Sequence, residues 1–126
     1  MAAAFTRGII DRLHAAREVE IETSAAPGAA RHRTIIWNVV DEQDRVLIRS
    51  VRGAAGRWYR EAVANPEAAL EVDGLVIPVR VEPASDDERV EATSRALRAK
   101  YARARASLAA MLREETLPTT LELLPR

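Results

Sequence analysis

The sequence predicts an α+β fold that is mainly β: a small barrel of about six mostly antiparallel strands, with an N-terminal helix, a short inserted helix and a long helix before the last strand. Three observations carry this. Strand-like runs follow one another through tight polar turns, which favours antiparallel neighbours. Helical periodicity is confined to the N-terminus, one short insert and the segment before the final strand. At 126 residues the chain fits one domain, 1-126, able to bury roughly two thirds of its unfolded surface. Consecutive strands with one inserted helix close into a barrel more readily than into an open α/β sheet.

Phe5 to Ala16 places Phe5, Ile9, Ile10 and Leu13 at helical spacing. Glu18 to Thr23 alternates charged and apolar residues, as a half-buried strand does. Ser24 to His32 contains Pro27-Gly28 and reads as a loop. The run TIIWNVV, Thr34 to Val40, is β-branched and is the strongest strand signal. With the polar turn Asp41 to Asp44 it predicts a hairpin over Thr34 to Val51. A short helix follows from Arg57 to Ala64 and stops at Asn65-Pro66, because a residue before proline is pushed out of the helical region. Ala69 to Val72 and Leu75 to Val81 are strands around Asp73-Gly74, a two-residue turn. Ser85-Asp86-Asp87-Glu88 is a capping-box pattern opening a helix to about Arg103. A second helical segment covers Arg105 to Arg113, and Thr119 to Leu124 is the last strand.

Composition narrows the function. Lysine plus arginine and aspartate plus glutamate each number 19, so the net charge is zero. General nucleic-acid binding, which draws on surplus positive charge, is disfavoured. The absence of cysteine excludes disulfides and zinc–thiolate sites and fits an intracellular, cytoplasmic setting. MAAAFTRGIIDRLHAAREVE has no long apolar run, so it reads neither as a secretory signal nor as a membrane span. His14 and His32 are isolated and make no metal site. Of the 19 basic residues only Lys100 is a lysine.

Against this neutral background, RVLIRSVRGAAGRWYREAVANPEAALEV concentrates four arginines between Arg49 and Arg60, across a strand end, a glycine turn and a helix start. The helix after Gly56 has no Ser, Thr, Asp or Asn at its N-cap, so its first amides need another partner. Gly53 and Gly56 let backbone approach a ligand closely. A helix start with free amides attracts anions, and arginines fork onto phosphate. Ser50, Arg52 and Arg57 therefore form a candidate phosphate cradle, with Arg49 directed into it or into solvent and Arg33 adding from the neighbouring strand. The alternative is a charged surface turn paired with Glu61, Glu67 or Asp41. Trp58 and Tyr59 are spaced for core packing or for walling a flat ligand, with Trp58 the nearer to such a ligand. Trp37 reads as core, His32 as a solvated loop edge, and Arg95, Arg98, Lys100, Arg103 and Arg105 as a solvated helix face. Tyr101 lies on the apolar side with Leu97.

The run IRSVRGAAGRWYREAVANPEAALEVDG resembles a segment of the flavin- and deazaflavin-binding split β-barrels, the superfamily of pyridoxamine phosphate oxidase and the deazaflavin-dependent nitroreductases. The matching features are Ser50, Arg52, Gly53, Gly56, Trp58-Tyr59, Asn65-Pro66 and Ala69 to Val72. TTLELLPR resembles the closing strand of the deazaflavin group. Nearly the whole chain is similar to a small bacterial family of unknown function in this superfamily, sharing the TIIW strand, the RG…W turn and Lys100-Tyr101. Where the nitroreductases carry His-Pro before the helix aromatic and Asn-Leu after it, this chain has Ala55-Gly56-Arg57 and Arg60-Glu61. The resemblance implies a split β-barrel and a homodimer with its cofactor at the subunit interface. It also implies a flavin- or deazaflavin-dependent oxidoreductase transferring hydride to a small molecule. On that reading Ser50, Arg52, Gly53, Arg57, Trp58, Arg49 and Arg33 bind the cofactor, deazaflavin or FMN. No Ser-His-Asp set or carboxylate pair is visible, so the cofactor would supply the chemistry. Two other readings remain: a non-catalytic module that binds a phosphorylated ligand, and a structural homodimer with a vestigial site.

Overall fold

The computed structural model describes residues 4–126; the first three residues, part of the stretch read above for a signal, lie outside it. The elements run α1 (Arg7–Ala15), β1 (Val19–Ser24), β2 (Arg31–Ile36), β3 (Val39–Val40), β4 (Val46–Ile48), α2 (Arg57–Ala64), β5 (Glu67–Val72), β6 (Leu75–Pro83), α3 (Asp87–Lys100), α4 (Arg105–Met111) and β7 (Leu121–Pro125). Short 3-10 turns over Gly53–Ala55 and Glu114–Thr119 lead into α2 and β7. The strands form one antiparallel sheet in the order β2-β1-β5-β6-β7-β4-β3.

That order determines the shape. β2 and β3 are the two edges of the sheet, yet only Trp37 and Asn38 separate them in sequence. Three residue steps reach at most about 11 Å, whereas the edges of a flat seven-stranded sheet lie about 29 Å apart. The sheet must curl until its edges meet at this corner, and it stays unpaired there. This is a split β-barrel.

The TIIWNVV run is therefore two strands, not one. Val19 to Ser24 pair with Ile36 to Arg31, and only Val39–Val40 pair with β4. The predicted Thr34–Val51 hairpin shrinks to β3–β4, and the strand count rises to seven. The loop after β1 is also shorter than expected, because Ser24 closes β1 and Arg31 opens β2. Other boundaries follow local chemistry. Thr6 caps α1, its hydroxyl accepting from the Ile9 amide. Asp86, not Ser85, caps α3, and that helix ends at Lys100 rather than Arg103. The β5–β6 turn holds Asp73 at φ 52° and Gly74 at φ 76°, the paired left-handed conformation expected of Asp-Gly.

Two apolar layers share the sheet. Val46 and Ile48 face inward with Ile21, Leu70, Val79, Leu121 and Leu123, against α1 and α2. Leu47, on the opposite face of β4, packs outward with Val39, Leu97, Tyr101 and Met111 under α3 and α4. β4 is thus buried on both faces. It runs straight into the arginine-rich turn, where the two layers come together. No helix among the described residues is long and apolar enough to cross a membrane.

Candidate functional site

A cleft of about 600 Å³ opens at that junction. Thr34, Ile35, Ile36 and Trp37 of β2 and its corner line one side, and Ser50, Val51, Arg52, Gly56, Arg57 and Trp58 line the other. Ser107 and Met111 of α4 close it, and Glu18 is its single acidic lining residue. The volume is in the range of small-molecule and cofactor sites, roughly 300–1,000 Å³.

The turn that builds one wall is rigid. The Ser50 amide donates to Thr119 Oγ1 (3.0 Å), and the Ser50 hydroxyl donates to the Gly53 carbonyl (2.8 Å). Gly53 has φ +65° and lies against the Glu115 backbone; a Cβ there would stand 3.1 Å from the Glu115 carbonyl oxygen. A Cβ on Gly56 would come within 2.7 Å of Ser50 Oγ. So Gly56 is a packing requirement of the turn. It is also the N-cap of α2, and no side chain caps that helix.

Arg52 and Arg57 are both exposed on this wall. Among the described residues neither has a carboxylate partner within ion-pair distance. Of the acids the sequence offered them, Asp41 receives Arg45 Nε at 2.7 Å, and Glu61 receives Thr23 Oγ1 at 2.9 Å and faces His32 Nδ1 at 2.9 Å, with the Arg57 charge acting on it from beyond ion-pair distance. Glu67 forms no ion pair with either arginine.

Arg49 goes neither to solvent nor into an open cradle. It is 1% exposed, and its guanidinium donates to Thr120 Oγ1, Ser94 Oγ, the Met111 carbonyl and the Val90 carbonyl. All four acceptors are neutral. Burial, with the nearby Arg98 charge, pulls its pKa down to about 10. Arg49 borders the cleft but works as a staple joining β4 to α3, α4 and the turn before β7. Arg33 lies outside the cleft altogether. Its guanidinium pairs with Glu22, its register partner on β1, and with Glu71 on β5 beyond it.

Both tryptophans line the cleft. Trp58 is buried against the inner core and meets Tyr59 edge to face at 6.3 Å. Trp37, read from sequence as core, is half-buried at the corner and stacks flat on Tyr101, with ring centroids 3.8 Å apart and planes within 2°. The Tyr101 hydroxyl donates to the Arg17 carbonyl (2.8 Å), and burial raises its pKa to about 12. His32 is not on a loop edge: it sits in β2 and reaches Glu61 on α2. Thr34, Ile35, Glu18, Ser107 and Met111 were not singled out by sequence. Thr34 and Ile35 stand in the TIIW run and were legible there. The α4 residues had no signal, since only the tertiary fold brings them over β4. No cluster of three or more potential metal ligands exists among the described residues.

A model of uncharacterized proteins conserved in bacteria, DUF2255, matches residues 9–123. The chain belongs to this family. No functionally curated protein matches it. Among solved structures, the DUF2255 chain is similar to a protein of unknown function from Agrobacterium tumefaciens (14% identity, TM-score 0.69), covering 94% of this chain but only 54% of that one, about half its length. It is similar to an F420-H2 dependent reductase (15% identity, TM-score 0.62; 98% and 99% of the two chains). It is also similar to a heme storage protein from Vibrio cholerae (10% identity, TM-score 0.65; 98% and 92%). At such identities the likeness concerns the fold alone, a curled antiparallel sheet of the split-barrel kind.

Proposed function

We propose that the chain binds a phosphate-bearing flavin-type cofactor, deazaflavin or FMN, in the cleft beside α2, and acts as an oxidoreductase on a small molecule. The observation that carries this is the pair Arg52 and Arg57: two arginines without carboxylate partners, at an uncapped helix start, on the rim of a cleft walled by Trp37 and Trp58. Exposed on the cleft rim and in no ion pair among the described residues, both guanidiniums can fork onto an anionic ligand. The aromatic walls suit a flat ring system. Bound there, the cofactor would supply the hydride chemistry. The chain would hold the phosphate through Arg52 and Arg57, keep the turn rigid through Ser50 and Gly56, and exclude water with Ile36, Trp37, Trp58 and Met111. The F420-H2 dependent reductase among the similar folds favours the deazaflavin. We further propose a homodimer that covers the cleft. Ile35, 63% exposed, and Val51, 41% exposed, are apolar and sit on its rim. A second reading, a binding module without turnover, draws support from the lining itself, where Glu18 is the single side chain of the acid–base kind.

Thermal unfolding at constant ionic strength, with FMN and with deazaflavin, tests the cradle. Ligand at about a hundred times its dissociation constant should stabilise the fold by roughly 2.7 kcal/mol. Arg57→Ala should lose most of that rise and keep the ligand-free midpoint, because an exposed arginine without a partner contributes little to stability. An Arg57→Ala protein that responds to ligand as fully as the parent would remove the cradle. Binding without oxidation of the reduced cofactor by any acceptor would select the binding module.

A further inference from the structure

Lys100 departs from the solvated helix face expected of it. Its four basic neighbours Arg95, Arg98, Arg103 and Arg105 are exposed, but Lys100 is half-buried. Its Nζ donates to the Asn38 carbonyl (2.9 Å) and the Leu13 carbonyl (3.0 Å), and no carboxylate lies within ion-pair distance among the described residues. Two of the three tetrahedral positions on the nitrogen are therefore taken by carbonyls. A neutral amine keeps both bonds and carries its lone pair at the third position. A charged one holds a third proton there with no oxygen acceptor, faced only by the Tyr101 ring, whose centroid lies 5.4 Å from Nζ. Burial lowers the pKa to about 8.

The Lys100 side chain lines a groove of about 400 Å³ between α1, β3 and α3, and its Nζ is held at the groove's end by carbonyls of the residues next to His14 and Val39; the groove shares no residue with the cofactor cleft. Val39, Ala96 and Ala99 give it an apolar floor, and His14 stands on its α1 side. The charged groups around it are His14 from α1, Asp41 and Glu42 from the turn after β3, Arg95 from α3, and Arg17 over the Tyr101 ring. Arg95 and Glu42 pair with each other at 3.4 Å, so neither is free to neutralise the amine.

We propose that Lys100 is a nucleophilic amine that forms an imine with a small aldehyde entering this groove. The nitrogen lone pair attacks the carbonyl carbon and the C–N bond forms. The aldehyde oxygen then leaves as water, carrying the two former N–H protons, with no oxidant or reductant involved. His14, on the same groove, is the side chain placed to carry the proton that the departing oxygen needs. Once protonated from solvent, the imine nitrogen keeps one N–H for the Leu13 carbonyl. The Asn38 carbonyl regains a donor when the Tyr101 hydroxyl, 3.2 Å from it, turns its single proton there from the Arg17 carbonyl.

Because the chain has one lysine, its adduct is unambiguous. The full chain is treated with propanal from pH 6 to pH 11.5, trapped with cyanoborohydride and mapped by peptide mass, folded and in concentrated urea. In the folded chain Lys100 should be alkylated with a midpoint near pH 8, and in urea near pH 10.4, as for an ordinary lysine. At pH 7.5 the folded chain should carry about ten times more Lys100 adduct than the unfolded one, the gain in free amine outweighing its lower intrinsic nucleophilicity. Lys100→Arg should fold and lose the adduct, and His14→Ala should slow trapping severalfold without moving the midpoint. A folded-state midpoint near pH 10, or an adduct confined to the N-terminal amine, would overturn the proposal and leave Lys100 as a structural latch on two carbonyls. A His14→Ala protein trapped at the parent rate would remove histidine from the step.

Discussion

Gly56→Ala tests the construction of the cleft wall. The backbone there (φ −62°, ψ 136°) suits alanine, so on backbone grounds alone the change would stabilise by about 0.4–1 kcal/mol through the unfolded state. The added Cβ, however, would stand 2.7 Å from Ser50 Oγ, and the hydroxyl must swing away. It then gives up its bond to the Gly53 carbonyl, worth about 1 kcal/mol, and remains buried without a partner at a further cost of about 1–2 kcal/mol. The net expectation is about 2 kcal/mol of destabilisation, a fall in melting midpoint of roughly 5–10 °C for a chain of this size. Ser50→Ala alone should cost about 1 kcal/mol. In the Ser50→Ala background the oxygen is gone, so Gly56→Ala should be neutral or slightly stabilising. The assay is a double-mutant cycle by calorimetry, with a coupling of about 2 kcal/mol expected. Additive single effects, or a Gly56→Ala protein as stable as the parent, would refute the claim that glycine is there to clear Ser50.

Arg49→Met should destabilise by roughly 2 kcal/mol in urea with an unchanged slope, because four lost hydrogen bonds at about 1 kcal/mol each outweigh relief from a desolvated cation. A neutral or stabilised variant would show that the staple is dispensable. Glu61 supplies a pH dependence. Burial pushes its carboxyl pKa up, but the bonds from Thr23 and His32 outweigh burial and hold it below the usual value. A depressed folded-state pKa gives stability that is present above the unfolded carboxylate value of about 4.3 and lost as pH falls through the folded value. Glu61→Gln should therefore flatten the acid limb of stability measured from pH 7 to pH 3; an unchanged limb would assign that limb to other carboxylates.

The sequence determined by itself the elements whose causes are local. Arg57 to Ala64 is a helix within the predicted bounds because glycine precedes it and Asn65-Pro66 ends it. Asp73-Gly74 makes its hairpin because that dipeptide takes left-handed backbone at low cost. The concentration of arginine on one turn was visible as letters, and so was the lack of a capping side chain. What depended on neighbours distant in sequence was not legible. TIIWNVV reads as one strand by propensity, and only the curl of the sheet breaks it at Trp37-Asn38, because the same short run must serve both edges. Arg33, Arg49 and Arg52 look alike in sequence. Strand register sends Arg33 to Glu22 and Glu71, helix packing seals Arg49 among neutral acceptors, and the turn leaves Arg52 without a partner. The same holds for the basic run from α3 into α4, where Arg95, Arg98, Arg103 and Arg105 stay exposed and Lys100 folds under. Side-chain chemistry was written in the sequence; which charge finds a partner was decided by the tertiary structure, because pairing is a matter of a few ångströms between residues tens of positions apart.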